Sequence, residues 1–204
     1  RTARLAALSW RLAMLHGRRA VRLCSTSAAA PPSKSNSTPL LNIVLHEPQI
    51  PGNTGTVGRL ALATRCRLHL VGRLGFSLDE AKFRRAGLDY WPLVDCVHHA
   101  TWEDYLAAAA PERAFLFTTH ATRPYWGASF RRGDHLLFGN EGAGAPEHVH
   151  QFLLQRHGAE HRLRLPMSAE VEGRSINLAC TASCGVYEAL RQIEVNTDGG
   201  TGLA

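Results

Sequence analysis

Three segments of the chain combine small and polar residues directly after an apolar stretch: residues 53–59 (NTGTVGR), 138–144 (FGNEGAG) and 165–178 (LPMSAEVEGRSINL). In an open α/β sheet, such segments form the turns at the carboxyl ends of strands, where ligands bind. Glycines allow a ligand to lie against the backbone, and Arg59 adds a cation at the end of the first segment. Together the segments predict a shared site for a cofactor and an anionic substrate.

Each segment also has a simpler interpretation. The first could begin a helix whose backbone N–H groups hold an anion, or Asn53 could be only a helix cap and Arg59 only a surface cation. The second could be a flexible turn before a helix. In the third, Ser175 and Asn177 could cap the final helix, or they could orient a ligand.

Several familiar chemistries are disfavoured by missing motifs. The sequence contains no GxGxxG, no GKS or GKT and no GxSxG, which argues against a dinucleotide fold, a P-loop and a nucleophile elbow. Eleven histidines invite a metal hypothesis, but none of them has the HExxH spacing. We therefore expect no bound metal, and we expect the histidines to be surface and helix-end residues.

The net charge of +6 is unevenly distributed. Residues 1–39 hold seven Lys and Arg and no acidic residue, which leaves 16 basic and 17 acidic residues in the remainder. Within that remainder, residues 52–88 carry seven basic and two acidic residues. This local excess is typical of a surface that binds a polyphosphate, although a solvated helical face would give the same pattern.

The first 39 residues have the composition of a targeting segment. Basic and apolar residues recur at the spacing of one helical face: Arg4, Arg11, Arg18, Leu5, Leu8, Leu12 and Leu15. A stretch rich in Ser, Ala and Pro follows. This pattern predicts an organellar transit peptide and linker over residues 1–39, for import into a mitochondrion or, alternatively, a chloroplast.

From residue 40, apolar strands alternate with helical stretches, which predicts an α/β fold with a mostly parallel sheet and helices on both faces. We predict strands over residues 40–45, 67–71, 114–118, 135–138 and 162–165, and helices over 53–63, 78–86, 101–110, 146–154 and 177–194. Asn53 and Thr101 are predicted N-caps. One domain then spans residues 40–194, with a disordered tail over 195–204. Cys180 and Cys184, four residues apart on the last helix, are expected in the core. No apolar run is long enough to cross a membrane.

The three segments, in this order, resemble the SPOUT class of RNA methyltransferases. The nearest match is its small single-domain branch, which 2′-O-methylates the wobble nucleotide of tRNA, cytidine or uridine 34. The likeness runs from about residue 41 to 192, and it includes LNIVLHEPQIP (41–51), RRAGLDY (84–90) and VYEALRQ (186–192).

This resemblance implies a sheet whose C-terminal part forms a trefoil knot, and a homodimer with the final helix at the interface. It implies S-adenosylmethionine as cofactor and the tRNA anticodon stem-loop as partner, with no membrane. Carried over by position, the cofactor contacts are Phe117, Thr118, Gly139, Glu141, Gly142, Leu165, Met167 and Ser175.

Arg59 matches the catalytic arginine of the class. Arginine is effectively always protonated, and a pKa near neutrality would cost roughly 7 kcal/mol, so we expect Arg59 to stabilise the developing 2′-oxyanion. Asn53, Ser175 and Asn177 would orient the ribose or the loops. The residues expected to contact RNA are Arg59, Arg84, Arg85 and Tyr187.

Two other functions remain open at this point. The first is a 2′-O-methyltransferase for another tRNA position or for organellar rRNA. The second is a non-catalytic RNA-binding or ribosome-assembly protein on the same fold.

Overall fold

The structure is a computed structural model, and it describes residues 39–78, 89–168, 170 and 175–195. The predicted transit peptide, almost all of the predicted helix over 78–86 and the tail after residue 195 lie outside these residues. Arg84 and Arg85, which are predicted to contact RNA, lie outside them as well.

A six-stranded parallel sheet forms the centre of the molecule, with strand order β3-β2-β1-β5-β4-β6. The strands are β1 (Asn42–His46), β2 (Arg67–Val71), β3 (Cys96–His99), β4 (Ala114–Phe117), β5 (His135–Phe138) and β6 (Arg162–Leu163). The predicted parallel α/β fold is confirmed, whereas the trefoil knot implied by the resemblance stays a prediction. β3 has no counterpart in the predicted elements, because two of its four residues are histidines.

Helices cover both faces of this sheet. The described residues contain α1 (Pro51–Ala63), α2 (Trp102–Ala109), α3 (Glu147–His157) and α4 (Leu178–Val195). Side chains alternate along each strand, so that Ile43 and Leu45 pack with α1 and α4, while Val44 packs with α2 and α3. None of the described helices is long and apolar enough to span a membrane.

Two helix starts differ from the prediction. Helix α1 begins at Pro51 with Ile50 as N-cap, so the prediction of Asn53 as N-cap is wrong. Proline is favoured in the first turn of a helix, where its missing N–H is not needed, and this leaves the Asn53 side chain inside that turn. Helix α3 begins one residue after Pro146. The predicted cap at Thr101 is confirmed, since its hydroxyl accepts a hydrogen bond from Asp104 N at 3.0 Å.

The expectation that histidines lie at the surface is also wrong. Among the residues that the structure describes, five histidines are buried: His46, His69, His99, His135 and His150. His69 contacts His99 at 3.0 Å between ring nitrogens, and the Tyr105 hydroxyl lies 2.7 Å from His135 Nδ1. This polar cluster borders a cavity of about 830 Å³ at the amino ends of the strands. Within the described residues, no group of histidine, cysteine and acidic side chains is arranged to hold a metal.

Helix α4 packs against the sheet through a glycine. A Cβ atom added at Gly185 would lie 2.6 Å from Cζ of Phe117. The Phe117 ring is buried and stacks on Phe138, with ring centroids 4.8 Å apart, so it has no free space to move into. The expected core positions of Cys180 and Cys184 are wrong, because both side chains are exposed on the opposite side of α4.

We expect Gly185→Ala to lower the free energy of unfolding by about 1–3 kcal/mol, because the added methyl group overpacks the contact with Phe117. Urea denaturation measures the change. Cys184→Ala, at the neighbouring exposed position, is the matched control and should stay within about 0.5 kcal/mol of the wild type. Equal stability of the two variants would contradict the tight packing of α4.

Candidate functional site

The predicted cofactor residues follow three neighbouring strands. Thr118 follows β4, Gly139 follows β5, and Leu165 lies just beyond β6. Thr118 N donates to Leu163 O at 2.8 Å, which joins the ends of β4 and β6. The Phe117 side chain lies in the core, so only the backbone of this residue is available at this edge.

The second segment forms a closed loop. Asn140 and Gly144 exchange two backbone hydrogen bonds of 3.1 Å. The Asn140 side chain accepts bonds from Gly142 N at 3.0 Å and Ala143 N at 2.6 Å. At Gly139, an added Cβ would lie 2.1 Å from Ala145 N, so no other residue fits there. The segment is therefore a loop held by hydrogen bonds, and not a free turn.

The Glu141 side chain points away from that loop towards α1. Its carboxylate accepts hydrogen bonds from Gln49 N at 2.8 Å, from Ile50 N at 3.2 Å and from Asn53 Nδ2 at 2.9 Å. A helix N-terminus favours negative charge. The anion that was predicted at this position is thus supplied by the protein itself.

These contacts keep Glu141 ionised. Burial opposes the charged form, but the hydrogen bonds from Asn53 and from the backbone of Gln49 and Ile50 outweigh it, so the pKa of Glu141 lies below its ordinary value of 4.5.

Asn53 and Asn177 extend this contact to the third segment. Asn177 Nδ2 donates to Asn53 Oδ1 at 3.0 Å. The other end of the Asn177 amide caps α4, since its Oδ1 accepts from Ala179 N at 2.9 Å and Cys180 N at 3.3 Å. The predicted cap at Asn177 is confirmed. One chain of hydrogen bonds, which we call the Glu141–Asn53–Asn177 chain, therefore joins all three segments.

Arg59 is exposed further along α1 and is held by an aromatic ring. Its Cζ lies 4.6 Å from the centroid of the Tyr90 ring. The Tyr90 hydroxyl donates to Gly55 O at 2.8 Å, on the preceding turn of the same helix. A guanidinium over an aromatic ring makes this contact with its flat face. Its in-plane N–H groups are therefore left for a ligand. Among the described residues, no carboxylate forms an ion pair with Arg59.

The other predicted residues lie around these contacts. Ser175 and Gly142 are exposed, and Met167 is half-buried. Leu165 packs against the main core. Tyr187 is 58% exposed on α4. The sequence interpretation assigned no role to Tyr90, although this residue ends the RRAGLDY stretch that carries the resemblance.

Residues 40–187 match the family model described as the SpoU rRNA methylase family. The chain belongs to this family. The match begins before β1 and ends within α4, so it includes every contact described above.

Curated relatives and solved structures agree with this assignment. The tRNA (cytidine(34)-2'-O)-methyltransferase of Saccharophagus degradans is 42% identical over 154 residues, which cover 76% of this chain and 96% of that protein. A structure described as giving insights into the 2-OH methylation of C/U34 on tRNA has a TM-score of 0.65 at 42% identity, covering 76% of this chain and 97% of the other. The SpoU methyltransferase AviRb from Streptomyces viridochromogenes, solved with AdoMet, has a TM-score of 0.60 at 23% identity, covering 78% and 59%. That last likeness shows a shared fold alone.

The predicted location in a mitochondrion or chloroplast is wrong. Relatives of the same name come from bacteria, which have neither organelle; those of Yersinia pestis and Escherichia coli are 42% and 41% identical and cover 76% of this chain. The family match starts at residue 40 and gives no support to a transit peptide before it.

We expect Glu141→Gln to lower the free energy of unfolding by about 1–3 kcal/mol at neutral pH, because an amide cannot accept all three hydrogen bonds. A carboxyl with a depressed pKa stabilises the fold above its unfolded pKa, and this stabilisation is lost as the pH falls through the folded pKa. The difference between wild type and variant should therefore shrink below pH 4.5.

Urea denaturation over a pH series measures this difference. Glu160→Gln, at an exposed acid that precedes β6, is the matched control and should show no such pH-dependent difference. A stability difference for Glu141→Gln that stayed constant with pH would contradict an ionised Glu141 carboxylate.

Proposed function

We propose that this protein is an S-adenosylmethionine-dependent methyltransferase that 2′-O-methylates the ribose of nucleotide 34, a cytidine or uridine, in tRNA. The observation that carries the proposal is the Glu141–Asn53–Asn177 chain, which assembles the three segments on one edge of the sheet beside Arg59. The 42% identity to a tRNA (cytidine(34)-2'-O)-methyltransferase, over 96% of that relative, supports this substrate.

The cofactor fits the carboxyl ends of β4, β5 and β6. Gly139 lets the loop after β5 fold back on itself, and half-buried Leu165 and Met167 offer apolar surface nearby. S-adenosylmethionine supplies an electrophilic methyl group when bound. Phe117 and Glu141 would contact the cofactor through their backbone. The other contacting residues would be Thr118, Gly139, Gly142, Leu165, Met167 and Ser175.

Arg59 stabilises the negative charge that develops on the ribose 2′-oxygen. S-adenosylmethionine would supply the methyl group from its sulfonium, and the proton of the 2′-hydroxyl would pass to a phosphate or water. Tyr90 holds the guanidinium in place for this role. Asn53 and Asn177 fix the first turn of α1, the helix that carries Arg59. Positioning supplies much of the acceleration.

A homodimer would place α4 at its interface. The outer side of α4 exposes Tyr187 at 58% and Val195 at 73%, together with Cys180, Cys184 and Arg191. We expect Tyr187 to lie at the margin of that interface and to stack on an unpaired base of the anticodon loop.

We expect Arg59→Ala to lower kcat/KM for tRNA by roughly 100-fold or more, because it removes the charge that stabilises the oxyanion. Arg59→Lys keeps the charge without the planar donors and should lie between wild type and Ala. Methyl transfer from labelled S-adenosylmethionine measures the rate, and calorimetry should find unchanged cofactor affinity in both variants.

Two controls complete this test. Arg156→Ala removes an exposed cation from the other face of the sheet and should leave the rate unchanged. A tRNA with 2′-deoxycytidine at position 34 should accept no methyl group. Methylation of that tRNA would show that the target lies elsewhere, and near-normal rates in both Arg59 variants would exclude the proposed role of Arg59.

Tyr90→Leu should lower kcat roughly threefold, because an exposed cation–π contact contributes about 0.5–1 kcal/mol. Tyr90→Phe keeps the ring and should retain most of the activity while losing the hydroxyl bond to Gly55. Steady-state kinetics separate a positioning role from a role in cofactor binding, because a positioning role changes kcat and leaves KM for S-adenosylmethionine unchanged. A loss that is equal in Phe and Leu would assign the effect to the hydroxyl.

A further inference from the structure

A cavity of about 700 Å³ opens beside the Glu141–Asn53–Asn177 chain. It lies between the turn after β1, the loop after β2 and the loop after β5, and it is lined by Glu47, Gln49, Arg73, Leu74, Gly75 and Asn140. The roles proposed above use none of its charged side chains. Glu47 and Gln49 belong to the HEPQIP stretch of the sequence, to which the first interpretation assigned no chemistry.

The walls of this cavity are fixed by hydrogen bonds. Gln49 Nε2 donates to Glu47 O at 2.6 Å, and Gly75 N donates to Pro48 O at 3.0 Å. A Cβ added at Gly75 would lie 2.8 Å from the Gln49 backbone, so the two loops are in close contact. Gln49 N also donates to Glu141. The cavity therefore shares a wall with the chain that joins the three segments.

Glu47 is held in a strained backbone conformation. Its φ of 49° lies in the left-handed region, which non-glycine residues rarely adopt and which is enriched at functional sites. Its side chain lies over Gly72, where an added Cβ would come 2.8 Å from Glu47 Cγ. Among the described residues, the structure gives the Glu47 carboxylate no ion-pair partner. The strain thus places an acceptor of hydrogen bonds at the edge of the cavity.

The charges on the cavity wall match the polar edge of a pyrimidine. Glu47 can only accept hydrogen bonds and exposed Arg73 can only donate them. Cytosine offers an amino donor at N4 and a carbonyl acceptor at O2, whereas uracil carries a carbonyl oxygen at position 4. Glutamate accepting from cytosine N4 is a known direct contact to a base. A phosphate in the same place would be repelled by Glu47.

We propose that this cavity is the subsite for the base of the methylated nucleotide, with Glu47 accepting from its N–H donor and Arg73 donating to its carbonyl oxygen. The inference rests on the proposed function, because that function supplies the pyrimidine.

The test compares two anticodon stem-loops, with cytidine or pyrimidin-2-one riboside at position 34. The second base lacks the amino group. Wild-type protein should bind and methylate the cytidine loop roughly 10-fold better, as expected for one hydrogen bond to a charged group. Glu47→Ala should lose this preference and treat both loops alike, and Glu47→Gln should retain part of it.

A purely structural role of Glu47 predicts a different result. Glu47→Ala would then weaken the binding and methylation of both stem-loops by the same factor and keep the 10-fold preference for cytidine. That result would overturn the proposal. Glu112→Ala is the control for loss of an exposed acidic charge and should behave as wild type. Arg73→Ala should weaken both loops equally, because O2 is present in each base.

Binding and methylation are measured separately, by fluorescence anisotropy and by methyl transfer. If the wild-type protein binds the cytidine loop better but methylates neither loop, the proposed function is refuted and the base subsite is supported. A wild type that methylates both loops at the same rate and binds them equally would refute the subsite and keep the function.

Discussion

The Glu141 carboxylate is the contact on which the arrangement of the site depends. Because it can only accept hydrogen bonds, Asn53 must turn its amide nitrogen towards it. The Asn53 oxygen is then left for the nitrogen of Asn177, and the Asn177 oxygen is left for the first N–H groups of α4. One ionised group thereby sets the orientation of two amides and satisfies the ends of two helices that are far apart in the sequence.

The parallel sheet makes this contact possible. Parallel pairing brings the carboxyl ends of β1, β5, β4 and β6 to one edge, so residues remote in sequence start their loops side by side. Two glycines then set distances that side chains would prevent. Gly139 lets the loop after β5 fold back on itself, and Gly185 lets α4 approach the sheet over Phe117. The loops are therefore positioned by backbone contacts, and their few polar side chains remain available to join the segments.

Much of this architecture could be predicted from local sequence. Apolar runs mark most of the strands, and Thr101 and Asn177 act as caps because their partners lie within three residues. The failures share a cause: the deciding partner is distant. Asn53 looks like a cap, but the acceptor at the start of α1 comes from Glu141, 88 residues away from Asn53. The burial of the histidines in β2, β3 and β5 likewise depends on neighbouring strands and on α2, which no local pattern records.

Those buried histidines, which lie at both ends of the strands, make the fold sensitive to mild acid. Burial lowers the pKa of His69 and His99, and burial together with Arg67 lowers that of His135 to about 4. The unfolded chain therefore takes up protons that the folded chain does not bind as the pH drops below 6.5, and the folded state loses stability there. Asp134, whose pKa burial raises to about 6, acts in the opposite direction. The pKa of Glu141 lies below 4.5, so the contact that joins the three segments keeps its charge while the buried histidines already reduce the stability of the fold.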